Sequence, residues 1–286
     1  MSDDTPVDFI RYLAAKRTVD DRALNEGVWQ MFRSLLPPEP RRILEIGAGI
    51  GTMVDRLAER GVLGAGTYTA IDAEPENIAA ARERLGRTSG IAGLELEAID
   101  AFDFARRERG RRTWDVLIAH AFLDLVDVPA ALPALFELLR PNGVFYFTIN
   151  FDGLTVLEPP IDPVFDEQVM AVYHRTMDER LVDGRRSGDS RAGRHLIGHL
   201  KAAGATVTAA GGSDWLVMAG PDGRYPADEA AFLRAILGFF ESSLTGRPEL
   251  DPARLARWLE QRRAQIAAGD LIYIAHQLDV VGTAGR

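Results

Sequence analysis

No cysteine occurs anywhere in the 286 residues. That absence removes disulfides, Cys-zinc sites, thiol nucleophiles and iron–sulfur clusters together. No apolar run approaches the roughly 20 residues that span a bilayer. The start, Met1 to Pro6, lacks the basic and apolar stretches of a signal peptide. The reading is a soluble, cytoplasmic protein without a membrane partner. Positive charge is in deficit, with 33 Lys and Arg against 42 Asp and Glu and a net charge of −9. This argues against nucleic acid as the main partner, which needs a basic surface. Internal repeats and low-complexity linkers are also missing. What the chain does have is apolar content, at 47%. That is enough to bury a real core and excludes disorder as the dominant state. The length allows one large domain, or one core with additions.

The first 40 residues read as helical. Val28, Met31, Phe32, Leu35 and Leu36 recur on one face, and Pro37-Pro38-Glu39-Pro40 stops the helix. Strands are then predicted at 42–46, 68–71, 94–99, 114–119 and 144–149, with helices marked by Val54, Leu57 and Ala58, by about Pro75 to Leu85, and by Leu132, Leu135, Phe136 and Leu139. This alternation predicts an α/β fold, a mostly parallel sheet covered on both faces with right-handed crossovers. Beyond Asn150 the pattern loosens into an insertion with some helix. A strand is predicted from Ala205, and a helical segment over about 227–268 precedes the last strand, Leu271 to Val281. Within that segment Phe232, Ile236, Phe239 and Phe240 form one packing stripe. Asp251-Pro252 starts a further helix as cap plus proline. The expected organisation is an N-terminal helical cap over 1–40 and a domain over 41–286, with insertions at about 151–195 and 221–269 covering the substrate site.

Glu45-Ile46-Gly47-Ala48-Gly49-Ile50-Gly51 joins a strand to a helix. Glycines there permit a tight turn and close backbone approach to a ligand, and the helix start offers unpaired N–H groups. Alone, the run also fits an ordinary strand–helix turn. The dinucleotide fingerprint is not met, because Thr52 stands where it requires a third glycine. That weighs against an NAD(P)-dependent oxidoreductase. Asp72, at a strand end, can accept both hydroxyls of a ribose, cap the helix before Pro75, or do both. Asp100-Ala101-Phe102 ends the third strand and offers a carboxylate for an adenine amino group, a backbone N–H for a ring nitrogen, and an apolar flank. Three neighbouring strand ends thus present contacts for an adenosine at the switch point of an open sheet.

With these residues the chain resembles the class I S-adenosylmethionine-dependent methyltransferases. The matching stretches are Ile43 to Thr52, Ala70-Ile71-Asp72, Ile99-Asp100-Ala101, Trp114 to Ala121 and Leu138 to Val144, with a weaker match over Leu196 to Met218. The resemblance implies a seven-stranded, doubly wound sheet whose last strand is antiparallel, and S-adenosylmethionine as cofactor with S-adenosylhomocysteine as product. It places Glu45, Gly47, Ala48, Gly49 and Gly51 at the methionine end of the cofactor, Asp72 on the ribose with Ala73 beside it, and Asp100, Ala101 and Phe102 around the adenine. His120 falls near the methyl donor. The long helical segment before the last strand departs from the family pattern. No Asn-Pro-Pro-Tyr-like motif follows the fourth strand, which argues against methylation of nucleic-acid bases or glutamine amides.

The expected activity is in-line methyl transfer to a small-molecule O or N nucleophile. The rival reading is a protein that binds S-adenosylmethionine without methylating anything. His120 is the candidate base, or serves the cofactor alone. Asp124, Asn150 and Trp215 are substrate-site candidates, and Asp152 shares the strand-end position of Asn150. Against these stand plainer roles: Asp124 as a turn cap and Trp215 as core. His174 is a lid residue or a solvated one. Arg17, Asp21 and Arg22 form a solvated face, or one Arg closes over the cofactor carboxylate. His195 and His199 stand four apart, a metal-binding spacing, but without an evident third ligand no metal is expected.

Overall fold

The computed structural model describes residues 8–86, 93–182 and 184–285; the acidic start, Met1 to Pro6, and Asp183 of the Arg-rich run lie outside them. Two helices open the chain, α1 (Phe9–Ala23) and α2 (Glu26–Leu35). Asn25 separates them, its extended backbone starting α2 while its side chain accepts the Val28 N–H at 3.0 Å. Strands and helices then alternate as predicted, with α5 an addition between the third and fourth strands: β1 (Arg41–Ile46), α3 (Thr52–Glu59), β2 (Gly66–Asp72), α4 (Pro75–Leu85), β3 (Leu94–Ala98), α5 (Ala101–Glu108), β4 (Trp114–His120) and α6 (Val128–Phe136). There follow β5 (Leu139–Glu158), α7 (Pro163–Asp178), the short hairpin β6 (Leu181–Val182) and β7 (Arg185–Arg186), and α8 (Ala192–Ala202). β8 (Thr206–Gly212), β9 (Trp215–Val217), α9 (Glu229–Leu244), α10 (Pro252–Ala268) and β10 (Ile272–Thr283) complete the described chain.

The main sheet runs β3-β2-β1-β4-β5-β10-β8, with β9 also on β10. The β1–β2, β1–β4, β2–β3 and β4–β5 pairs are parallel, while β10 is antiparallel to all its neighbours. The expected seven strands become eight because the strand after Ala205 is interrupted at Ser213-Asp214. The Ser213 N–H still reaches the Gln277 carbonyl at 2.8 Å, so the chain resumes as β9 along the same partner. A second difference matters more for the site. β5 does not stop at Ile149 but pairs with β10 as far as Glu158, so residues expected to begin an insertion are strand. The start of β10 supplies the partner, and a distant pairing of this kind leaves no local mark on the sequence.

Three cores result. Val28, Phe32, Val54, Leu57 and Leu85 cover one face of the sheet, and Phe104, Leu132, Leu135, Leu196 and Leu200 the other. The third core lies over the strand ends. There α1, α7, α9 and α10 bring Val19, Val172, Phe232, Phe240 and Trp258 together with Ile149 and Tyr273. Thus α1 and the two inserted stretches form one helical cap, whereas α2 belongs to the sheet.

Candidate active site

The site assembles at the carboxyl ends of β1 to β4. Gly47, Gly49 and Gly51 all have positive φ, at 64°, 54° and 76°. A Cβ at Gly47 would lie 2.6 Å from the Phe122 ring, and one at Gly51 2.7 Å from Leu85. Only glycine fits these positions, which is why the loop can fold this tightly. Asp72 holds that loop in place. Its Oδ2 accepts the Gly49 N–H at 2.8 Å, and its Oδ1 accepts the Glu74 N–H and the Asn77 side-chain amide at 3.0 Å each. Ala73 is exposed beside it. Asp100 is an N-cap, its Oδ1 accepting the Phe102 and Asp103 N–H groups. Its Oδ2 takes no hydrogen bond from the described residues and stays at the surface next to the half-exposed Phe102. A free acceptor oxygen beside an aromatic face suits a flat ring bearing an amino group. Glu45 is buried beneath the loop, accepts the Tyr68 hydroxyl at 2.7 Å, and burial pushes its carboxyl up to about 8.

Next to the loop lies an ionic hub. Asp20 of α1, 2% exposed, accepts Lys16 Nζ at 2.9 Å, His120 Nε2 at 2.9 Å and Arg56 Nη2 at 3.4 Å on Oδ2, and the Trp215 indole N–H at 2.9 Å on Oδ1. Burial works against its charge, but Lys16, His120 and Arg56 hold the carboxyl well below the usual range. Burial, aided by Lys16 and Arg56, drives His120 down to about 4 despite Asp20, so the ring is neutral. With Nε2–H donated to Asp20, Nδ1 takes the Thr148 hydroxyl at 2.8 Å. As placed, His120 has no lone pair to offer a substrate, which removes the geometric basis for reading it as the base.

A pH test follows from that burial. The unfolded imidazole takes a proton between about pH 6.5 and 4 that the folded one refuses. Stability should therefore fall as the pH drops through that window. Urea midpoints at pH 7 and pH 5 are expected to differ more for the wild type than for His120→Gln; equal differences would remove His120 from the account.

On the far side of the hub, under the cap, stands Asp124, in the turn after β4. Its Oδ1 is buried and has no hydrogen-bond partner among the described residues, and burial pushes the carboxyl up to about 6 against the opposing pull of its own backbone N–H. Its charge is felt by Tyr12 of α1 and Tyr173 of α7, and Tyr273 of β10 stands next to these two tyrosines. Each hydroxyl is raised above its ordinary range, first by burial and then by the charge of Asp20 for Tyr12, of Asp124 for Tyr173, and by Tyr173 for Tyr273. Tyr12 lies between Phe232, stacked at 5.7 Å, and the edge of Phe239 at 5.0 Å.

The other expected substrate residues sit elsewhere. Asn150 is fully buried and gives its amide to the Leu278 carbonyl at 2.8 Å. Because β5 continues past it, it is a mid-strand residue and not a strand end. Asp152 accepts the Arg194 N–H and Nε at 2.7 and 2.8 Å. Trp215 packs edge-on to Phe232 at 5.3 Å in the cap core, and His174 bonds Thr155 at 3.2 Å. Arg17 and Arg22 reach out to Glu59 and Glu229, while Asp21 pairs with Arg56. Tyr12, Lys16 and Asp20 escaped the sequence reading although they recur every four residues along one face of α1. Polar groups on the face a helix buries were the available signal.

Residues 44–145 match a family model described as a methyltransferase domain. The chain is 33% identical over 115 residues to an uncharacterized methyltransferase of Mycobacterium tuberculosis, covering 38% of this chain and 40% of that protein. It is 31% identical over 186 residues to a trans-aconitate 2-methyltransferase of Streptomyces coelicolor, covering 60% and 53%. A ubiquinone biosynthesis O-methyltransferase of Neisseria meningitidis is 31% identical over 112 residues, covering 38% and 44%. The chain thus spans about half or less of the length of these curated relatives.

Proposed function

We propose that this chain, whose residues 44–145 match a methyltransferase-domain model, is a class I S-adenosylmethionine-dependent methyltransferase and that it methylates an O–H or N–H group of a small molecule held under the helical cap. The observation that carries the reading is the buried Oδ1 of Asp124, which has no partner among the described residues. A buried acceptor without a donor is costly, and a substrate hydroxyl or amine supplies the donor. A hydroxyl must lose its proton to become a good nucleophile, and a neutral amine, which attacks with its lone pair, must shed one once the C–N bond has formed. Asp124, at about 6, is ionised at neutral pH and basic enough to take it.

The cofactor, when bound, supplies a methyl group already activated for displacement. The residues present fit it: a loop of three glycines, Asp72 at the ribose position, and Asp100 with a free oxygen beside Phe102. The remaining work is alignment, which is worth on the order of 7–11 kcal/mol when two reactants are held in register. Tyr12, Tyr173 and Tyr273 shape the acceptor space. The cap core excludes water. His120 and Lys16 fix Asp20, and so fix α1 over the glycine loop, where Leu13 lies 3.2 Å from the position of a Gly49 Cβ.

Calorimetric titration with S-adenosylmethionine and S-adenosylhomocysteine tests the cofactor assignment, with NAD(P)H as control. Both sulfur compounds are expected to bind. Asp72→Ala should weaken them at least about tenfold, the cost of one lost hydrogen bond to a charged group, and a parallel melting curve reports whether the loop anchor is also needed for folding. Binding of NAD(P)H alone would overturn the proposal.

A further inference from the structure

We propose that Asp189, His195 and His199 bind a divalent cation of the zinc class, at a site separate from the glycine loop and Asp124. His195 and His199 stand one turn apart on α8, with ring centroids 6.1 Å apart. Asp189, in the turn before the helix, places Oδ2 2.6 Å from His195 Nδ1. One ligand atom from each of the three residues lies within 4.8 Å of the others. A tetrahedral zinc ion, with ligands at about 2.0–2.2 Å, holds its donors about 3.3–3.5 Å apart. Reaching that spacing means opening the Asp189–His195 contact from 2.6 Å with His199 set at the same distance, and His195 and Asp189 have room to turn, being 47% and 30% exposed. Their fellow ligand His199 is half-buried and has no hydrogen-bond partner among the described residues. An imidazole in that state, facing a second imidazole and a carboxylate, is matched by a cation that all three can share.

The donor set selects the metal. Two imidazole nitrogens and one carboxylate suit Zn²⁺, Co²⁺, Ni²⁺ or Cu²⁺, whereas Mg²⁺ and Ca²⁺ want all-oxygen shells. Asp189 is braced for the task, since its Oδ1 accepts the Arg191 N–H at 2.8 Å. The location gives the ion a structural use. The Asp189 N–H donates to the Asp124 carbonyl at 3.2 Å, and the Ser187 hydroxyl to the Leu125 carbonyl at 2.6 Å. A cation joining Asp189 to α8 therefore staples the β6–β7 hairpin region to the helix behind the Asp124 turn.

The chain makes this testable with little interference. It has no cysteine and five histidines. Of the other three, His120 is enclosed, His174 bonds Thr155 and His276 bonds Asp214. Tag-free, chelator-treated protein is titrated calorimetrically with Zn²⁺, Mg²⁺ and Ca²⁺, and with Co²⁺ by visible absorption. The expected result is one Zn²⁺ per chain, a cobalt spectrum of tetrahedral type, and a raised thermal midpoint. His195→Gln and His199→Gln should each lose affinity by at least about tenfold, with the metal-free melting curve unchanged for His199→Gln. Absence of Zn²⁺ binding, equal binding of Mg²⁺, or binding that survives both variants would overturn the proposal.

Discussion

Replacing Asp20 with alanine is expected to cost about 3–5 kcal/mol of folding stability, the usual penalty for removing one partner of a buried ion pair. The cost arises because Lys16 and Arg56 stay behind as buried cations, and the Trp215 and His120 N–H groups lose their acceptor. Surface pairs such as Arg106–Asp103 carry no such weight, because water replaces either partner. Asp20→Asn should fall between the alanine variant and the wild type, since it keeps an acceptor for Trp215 while giving up the charge. The same logic sets the acid limb. The folded-state pKa of Asp20 lies below its unfolded value, so its contribution is present above the ordinary carboxylate range and is lost as the pH falls through the folded value. Guanidinium denaturation of the three proteins at neutral pH measures the effect; an alanine variant within about 0.5 kcal/mol of wild type, the range of an ordinary surface change, would mean that the hub is not a stabilising unit.

Asp124→Asn is expected to lower methyl transfer by about 10²–10⁴-fold, the range for losing a positioned general base, while leaving cofactor affinity unchanged. The amide keeps the size of the side chain and its contacts with the turn, but it cannot accept a proton. Labelled methyl transfer to an acceptor found by screening measures the loss. Because burial raises Asp124 to about 6, the wild-type rate should fall on the acid side of that value, and the variant's residual rate should lack this limb. A variant that keeps full turnover would reduce Asp124 to a wall of the site.

How much of this could be read beforehand depended on the range of the interaction. Gly47 to Gly51, Asp72 and Asp100 were legible because tight turns and helix starts are set by a few adjacent residues, and the structure gathers them at one edge. For His120 the position is legible in the sequence and the state of its ring is not. Its position at the end of β4 is a local fact, whereas the state of its ring is decided by Asp20, 100 residues away. Asn150 failed for a similar reason, because only pairing with β10 shows that β5 runs past it. The His195–His199 spacing was visible, but Asp189 becomes a neighbour only once the turn before α8 has folded back.

The amino-acid order by itself therefore determined the alternation of strands and helices, the glycine turn and the acidic strand ends, since each rests on periodicity or on backbone limits acting within a few residues. Tertiary structure alone decided which charged groups are buried together, which acceptor is left without a donor, and which helices close over the sheet. Desolvation is the reason. The cost of burying Asp20, Lys16 or Asp124 depends on what distant segments bring to them, and that is settled only when the chain has packed.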